Sequence, residues 1–173
     1  MTRFLLIGAA LLSFASRTLA ADPAPANTDT KPRATIKAVK VDTPPVIDGI
    51  MDDEVWNLAP KSSPFVQDDP VHGVPMTERT EFRVLYDDKA LYLGFWCFDS
   101  EPNKILARTM SRDDWPDADD FLIISIDPFL DRRNGYMFAV NPNGSRFDAI
   151  INNNAYAGSS WNTIWDCRGK VTN

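Results

Sequence analysis

Ser111–Asp148 reads SRDDWPDADDFLIISIDPFLDRRNGYMFAVNPNGSRFD, and its pattern decides the fold. Three runs look like strands: Phe121–Asp127, Gly135–Val140 and Ser145–Ile151. They concentrate β-branched and aromatic residues, and polar turns separate them. Asn141-Pro142-Asn143-Gly144 is the strongest of those turn signals. The stretch opens on a loop of five carboxylates, Asp113, Asp114, Asp117, Asp119 and Asp120, gathered around Trp115. Acids and an indole on a rigid β scaffold are raw material for a sugar or cation site.

Working outward, Thr80–Tyr86 and Leu91–Phe98 predict a hairpin turned by Asp87-Asp88-Lys89-Ala90. In its second strand Leu91, Leu93, Phe95 and Cys97 share one face, and Tyr92, Trp96 and Phe98 the other. Apolar residues on both faces predict a strand buried between layers, with Trp96 in the core. Ala34–Val41 is a candidate edge strand. Asp48-Gly49 predicts a turn, and Asp52 is placed to cap a short helix carrying Val55, Trp56 and Leu58 up to Pro60. Trp56 is expected in the core on that apolar face. Pro64–Met76, with His72, reads as loop. Pro102–Met110 reads as either a helical turn or an irregular crossing. Asn152–Ser160 is a polar loop, after which come Trp161 and Trp165. There is no internal repeat and no sustained helical periodicity. Many short strands joined by turns predict an all-β fold, a sandwich or a barrel.

The chain has 173 residues with 18 Lys plus Arg against 24 Asp plus Glu, a formal charge of −6. Phosphate binding needs a basic surface, so no nucleic-acid partner is expected. Residues 1–20 read as a secretory signal peptide, with Arg3, the apolar run Phe4–Phe14 and small residues at Thr18-Leu19-Ala20. That run is too short for a membrane span. Residues 21–33, rich in Pro, Ala and Thr, read as a flexible linker. Residues 34–173 are the expected folded domain of an exported protein, bound for the periplasm, the outer-membrane face or the exterior. Cys97 and Cys167 are the two cysteines. They either pair, as an oxidising compartment allows, or stay as small buried hydrophobes.

Three chemistries are open to these residues. Calcium, which takes six to eight oxygens, is a candidate structural cofactor of the acidic loop. Asp113, Asp114 and Asp117 with Asp99 are the candidate ligands, although the EF-hand pattern is absent. Sugars present C–H faces to indole and hydroxyls to polar groups. Trp115 and Trp161, with polar neighbours, are the candidate stacking rings, and Arg112, Asn152 and Asn154 the candidate hydrogen-bonding partners. Glycoside hydrolysis needs two suitably spaced acids, but no motif selects a pair. A Ser-His-Asp set would have to use His72, with no nucleophile elbow nearby. No phosphate loop or dinucleotide fingerprint is present. Asn143-Gly144-Ser145 matches the glycosylation sequon.

The spaced motifs resemble a known family. They are Ile47-Asp48-Gly49 with Asp52-Asp53 and Trp56; Thr80–Asp88 with Leu91-Tyr92; Asp99 with Pro102; Arg112-Asp113; and Asp119-Asp120-Phe121. Asp127, Gly135-Tyr136, Phe138, Asn141-Pro142, Gly144, Asp148, Trp161 and Trp165 continue the series. Together they resemble the family 9 carbohydrate-binding module. The likeness is greater still to the module-like domain at the N-terminus of large bacterial envelope proteins, and it covers Val39 to Asn173. It implies a β-sandwich, of jelly-roll or immunoglobulin-like type, with one short helix. It also implies non-catalytic binding of a polysaccharide or oligosaccharide beside a linked or partner enzyme of carbohydrate breakdown. In such modules two tryptophans clamp a sugar and calcium braces the structure. The likeness to the envelope group leaves open the alternative of an interaction or structural domain at the envelope with no sugar ligand. The family pattern runs on into a further strand and an Ile-Pro segment, whereas this sequence stops at Val171-Thr172-Asn173. The resemblance therefore implies that the last strand or strands are lacking. A C-terminal region, a membrane barrel or another chain would complete the open edge.

Overall fold

The computed structural model describes residues 34–156, 158 and 160–172. The expected signal peptide and linker, 1–20 and 21–33, lie outside the described residues. The chain is all-β, with two sheets and, among the described residues, only short 3₁₀ turns for helix. No helix among them is long and apolar enough to cross a membrane.

The first sheet has the order β1-β2-β3, from Val39–Lys40, Thr80–Tyr86 and Leu91–Cys97. β2 and β3 pair antiparallel from Thr80↔Cys97 to Tyr86↔Leu91. Their turn is closed by Asp87, whose carboxylate accepts the Lys89 and Ala90 amides at 2.7 and 2.8 Å and the Tyr92 hydroxyl at 2.9 Å. The second sheet has the order β4-β5-β6-β7, from Leu122–Ile126, Gly135–Val140, Arg146–Asn152 and Ala155–Tyr156, all antiparallel. The five principal strands thus fall where alternation and turn chemistry put them, within one residue at each end.

Two expectations need correcting. Only Val39–Lys40 of the expected strand Ala34–Val41 pairs, and it runs parallel to the end of β2. Farther back along that edge Ser62 has taken the place: its amide donates to the Phe82 carbonyl at 2.8 Å, and its hydroxyl accepts the Phe82 amide at 3.2 Å. The short helix is a 3₁₀ segment, Glu54–Leu58, preceded by Asp53 rather than capped by Asp52. No side chain caps it; the Asp53 carboxylate accepts the Val46 amide instead, at 3.1 Å. Pro102–Met110 combines both of its readings, a 3₁₀ turn at Pro102–Lys104 followed by an irregular crossing.

β3 divides two apolar clusters. Tyr92 and Trp96 join Val41, Met51, Trp56, Ala59 and Leu85 on one side. Leu93, Phe95 and Cys97 join Phe82, Phe138, Val140, Trp165 and Cys167 on the other, and this second cluster takes residues from both sheets. Trp56 is 1% exposed, as expected of a core ring. Gly94 makes its seat, since a Cβ there would overlap the Met51 thioether and the Trp56 ring. Cys97 and Cys167 are free thiols in the second cluster, so they pack there as small hydrophobes. Burial pushes their pKa values up to about 11 and about 12, which makes both poor nucleophiles.

Candidate functional site

The acidic loop folds back against the turn between β5 and β6, and two of its acids are used in doing so. Asp119 is buried. Its carboxylate accepts the Arg108 amide at 2.7 Å, the Thr109 amide at 2.8 Å and the Asn141 side-chain amide at 2.8 Å. Desolvation pushes its pKa up, but these donors outweigh that and hold the carboxyl down at about 2. Asn141 is fully buried with both amide hydrogens and both lone pairs engaged. It donates to Thr109 O and Asp119, and accepts from the Asn143 and Ser145 amides. Asp120 accepts the Leu106 amide at 2.8 Å. Residues 106–109 are therefore pinned by the loop that follows them.

A second polar centre lies at β6. Asp148 is 0% exposed and accepts from Arg112 Nη2 at 3.0 Å, Trp165 Nε1 at 3.1 Å and the Thr163 amide at 2.8 Å. The same Arg112 nitrogen reaches Asn162 Oδ1 at 3.0 Å and the Thr163 carbonyl at 3.3 Å. Arg112, expected to meet a sugar, thus spends that side of its guanidinium on the protein, tying the acidic loop to the segment carrying Trp161 and Trp165. Asp148 was missed as a hub because an acid flanking Phe147 on an alternating strand reads as solvent-facing.

The two expected stacking rings lie apart. Trp161 stacks on Tyr136 at 4.8 Å and meets Phe138 edge-on, joining the cluster between the sheets. Trp115 meets Phe147 at 5.1 Å and Phe121 at 5.5 Å, both edge-on, and keeps 40% of its surface exposed. Phe138 pairs with Asp148, and Phe147 with Ala139, in adjacent rungs of one ladder. Side chains alternate across a sheet, so the two indoles rest against opposite faces and do not wall one cleft. Phe121, which precedes β4, and Phe147 in β6 flank Trp115, and neither ring is singled out by the sequence as its seat.

Asn152 and Asn154 lie at the turn from β6 to β7, where Asn153 and Asn154 are left-handed, with φ of 51° and 63°. The backbone there bonds the loop between β4 and β5, Asn154 N to Arg133 O at 2.9 Å and Asn153 N to Asn134 Oδ1 at 3.2 Å. The calcium candidates do not converge either. Among the described residues no three His, Cys, Asp or Glu side chains could together hold a metal ion. Asp99 accepts the Glu101 amide at 2.6 Å, and Asp113 turns one oxygen to within 3.5 Å of Arg112 Nε. Asp114 and Asp117 are exposed. These four carboxylates do not fit a shared cation as placed.

A cleft of about 230 Å³ opens at one end of the two sheets, lined by Glu78, Thr80, Cys97, Phe98, Asp99, Ile105, Asp120, Phe121, Leu122 and Val140. It brings Asp99 together with Glu78 and Asp120. No sequence signal marked that grouping, since it depends on which strand ends meet. Phe121 belongs both to this cleft and to the seat of Trp115. In the sequon Asn143 is exposed but its Nδ2 donates to Ala107 O at 2.6 Å, and Ser145 is buried. No family model, no curated protein and no solved structure matches this chain.

Proposed function

We propose that this chain is a non-catalytic carbohydrate-binding domain of an exported protein, acting beside an enzyme of polysaccharide breakdown. The observation that carries the reading is the Trp115 indole, 40% exposed on a seat of two aromatic rings and continuous through Phe121 with an acid-lined cleft. An exposed ring costs solvation, and its edge-on neighbours fix its orientation at little further entropy. A pyranose laid on that ring would bury its C–H face and turn its hydroxyls toward carboxylate acceptors. Trp161 and Arg112 serve the fold in this reading, and the site is built on Trp115 alone. The leader-like residues 1–20 support export. No catalytic role is assigned to the carboxylates.

Affinity electrophoresis through gels cast with xylan or a soluble glucan tests this. Retardation is expected, with a loss of roughly tenfold in affinity, about 1.4 kcal/mol, for Trp115→Ala. Reducing-sugar release from either polymer should stay at background. No retardation on any polysaccharide would overturn the reading.

An envelope interaction domain without a sugar ligand is the second reading. What favours it is the connection between β4 and β5, which exposes Phe129 and Leu130 at 62% and 83%. The Asp127 carboxylate holds that connection by accepting the Phe129 and Arg132 amides at 3.0 and 2.7 Å. Under this reading Phe129→Ser with Leu130→Ser abolishes partner capture, and Trp115→Ala does not.

A further inference from the structure

Each sheet has two edges, and among the described residues three of the four are guarded. β1 and β7 are two-residue strands, too short to pair with much. β4 is longer, but Asp119 and Asp120 stand before it and Asp127 after it. An antiparallel copy of β4 would therefore set acids near acids, which is unfavourable. β3 has no such guard. Leu91–Cys97 spans seven residues, LYLGFWC, with neither a charge nor a proline. It is apolar on both faces, with Tyr92 and Trp96 in one cluster and Leu93, Phe95 and Cys97 in the other. Among the described residues no hydrogen bond reaches its outer edge. A long, apolar, unguarded edge is a site for pairing with another strand.

The register of the hairpin tells which groups face outward. Asp87 N–H donates to Ala90 O at 3.0 Å at the turn, and Phe98 N–H donates to Arg79 O at 2.8 Å at the other end of the same ladder. Bonded pairs alternate along an antiparallel ladder, so Tyr92, Gly94 and Trp96 bond β2. Leu91, Leu93, Phe95 and Cys97 turn their N–H and C=O groups outward. We propose that this edge pairs with the same edge of a second copy of the chain, antiparallel about a two-fold axis at Gly94. Such an interface is isologous and closes on two chains. In this register Leu93 faces the second copy's Phe95, Leu91 faces its Cys97, and every outward group is matched. Tyr92 falls beside the second copy's Trp96, an aromatic cross-strand pair. The strand ends bring charge complementarity. Lys89, exposed just before β3, falls opposite the second copy's Asp99, just after it, and the converse pair forms at the far end. Moving the axis to Leu93 or Phe95 leaves an outward residue unmatched and parts those charges. The pairing does not depend on what Trp115 binds.

Sedimentation equilibrium of the full chain at low salt, from about 1 to about 100 µM, should show monomer passing to dimer and no larger species. Lys89→Glu and Asp99→Lys each set like charges opposite one another at both ends of the pairing, and each should weaken the dimer about tenfold. Mixing the two variants restores opposite charges at both ends, so the mixture should dimerise about as tightly as the parent. The mixing arm separates this effect from a loss of folding, since two misfolded variants would not rescue each other. Hydrogen exchange reads the strand itself. As concentration rises, the amides of Leu91, Leu93, Phe95 and Cys97 should gain protection, while those of Tyr92, Gly94 and Trp96 stay protected throughout. A monomer over the whole range, open-ended association, or a mixture no tighter than its components overturns the proposal. So does a dimer in which the outward amides of β3 gain no protection.

Discussion

The two halves of the molecule are held together by different means. Around β1–β3 the cohesion is apolar volume: Trp56, Leu85, Tyr92 and Met51 fill the space behind β3, and Gly94 gives way to let Trp56 in. Around β4–β6 an apolar cluster is joined by two buried polar hubs, Asn141 with Asp119 and Asp148 with Arg112, that tie the neighbouring loops down by hydrogen bonds. Dispersion and burial forgive changes of chemistry that keep shape. A satisfied polar network tolerates little change in its pattern of donors and acceptors, even where shape is kept.

That contrast can be broken experimentally. The largest effect is expected from Trp56→Ala, which empties a buried indole site and should cost about 4 kcal/mol in urea unfolding. A loss below about 1 kcal/mol would mean that the apolar side does not depend on its volume. Next comes a matched pair of near-isosteric changes, one in each half. Asp148→Asn sets an amide hydrogen against Arg112, Trp165 or Thr163 donors and should cost about 3 kcal/mol. Leu85→Met, fully buried on the apolar side, should cost under about 1.5 kcal/mol. Equal costs for the two would erase the distinction.

The smallest effect concerns acid. Asp119 titrates at about 2 when folded, below the ordinary value of 3.8. The unfolded chain therefore binds this proton more readily, so the contribution is complete above about pH 4 and is withdrawn as pH falls toward 2. Melting temperatures measured from about pH 5 down to pH 2 should fall more shallowly for Asp119→Asn than for the parent. Parallel curves would remove Asp119 from the list of acid-sensitive supports.

The same contrast explains how far the sequence could be read. The hairpin of β2 and β3 was legible because period-two alternation and the Asp87 turn are local signals, and so was the burial of Trp56, while Trp96, expected in the core, is only half-buried at its edge. Asp148 was not, since its partners lie 15 to 36 residues away and acid on a strand ordinarily faces water. Asn141 announced itself as a turn residue, which it is, but not as a buried four-bond centre. The pairing of Trp115 with Trp161 failed for a geometric reason: a one-residue alternation on β5 and β6 decides which face each ring meets, and neither tryptophan belongs to a strand. Of the two indoles expected to offer a stacking face, Trp115 is the one that reaches solvent.

Asn143-Gly144 has a consequence for how this protein ages. An Asn-Gly pair ordinarily loses ammonia when the glycine nitrogen attacks the asparagine side chain. Here that nitrogen donates to the Asn141 carbonyl at 2.9 Å, and the Asn143 amide group is held by Ala107 O. The turn that Asn141 builds thus keeps the reacting atoms committed elsewhere. Peptide mass spectrometry after weeks of warm storage should find Asn143 intact in the folded chain and converted in the urea-unfolded one; a chemical clock at this site runs only while the fold is open.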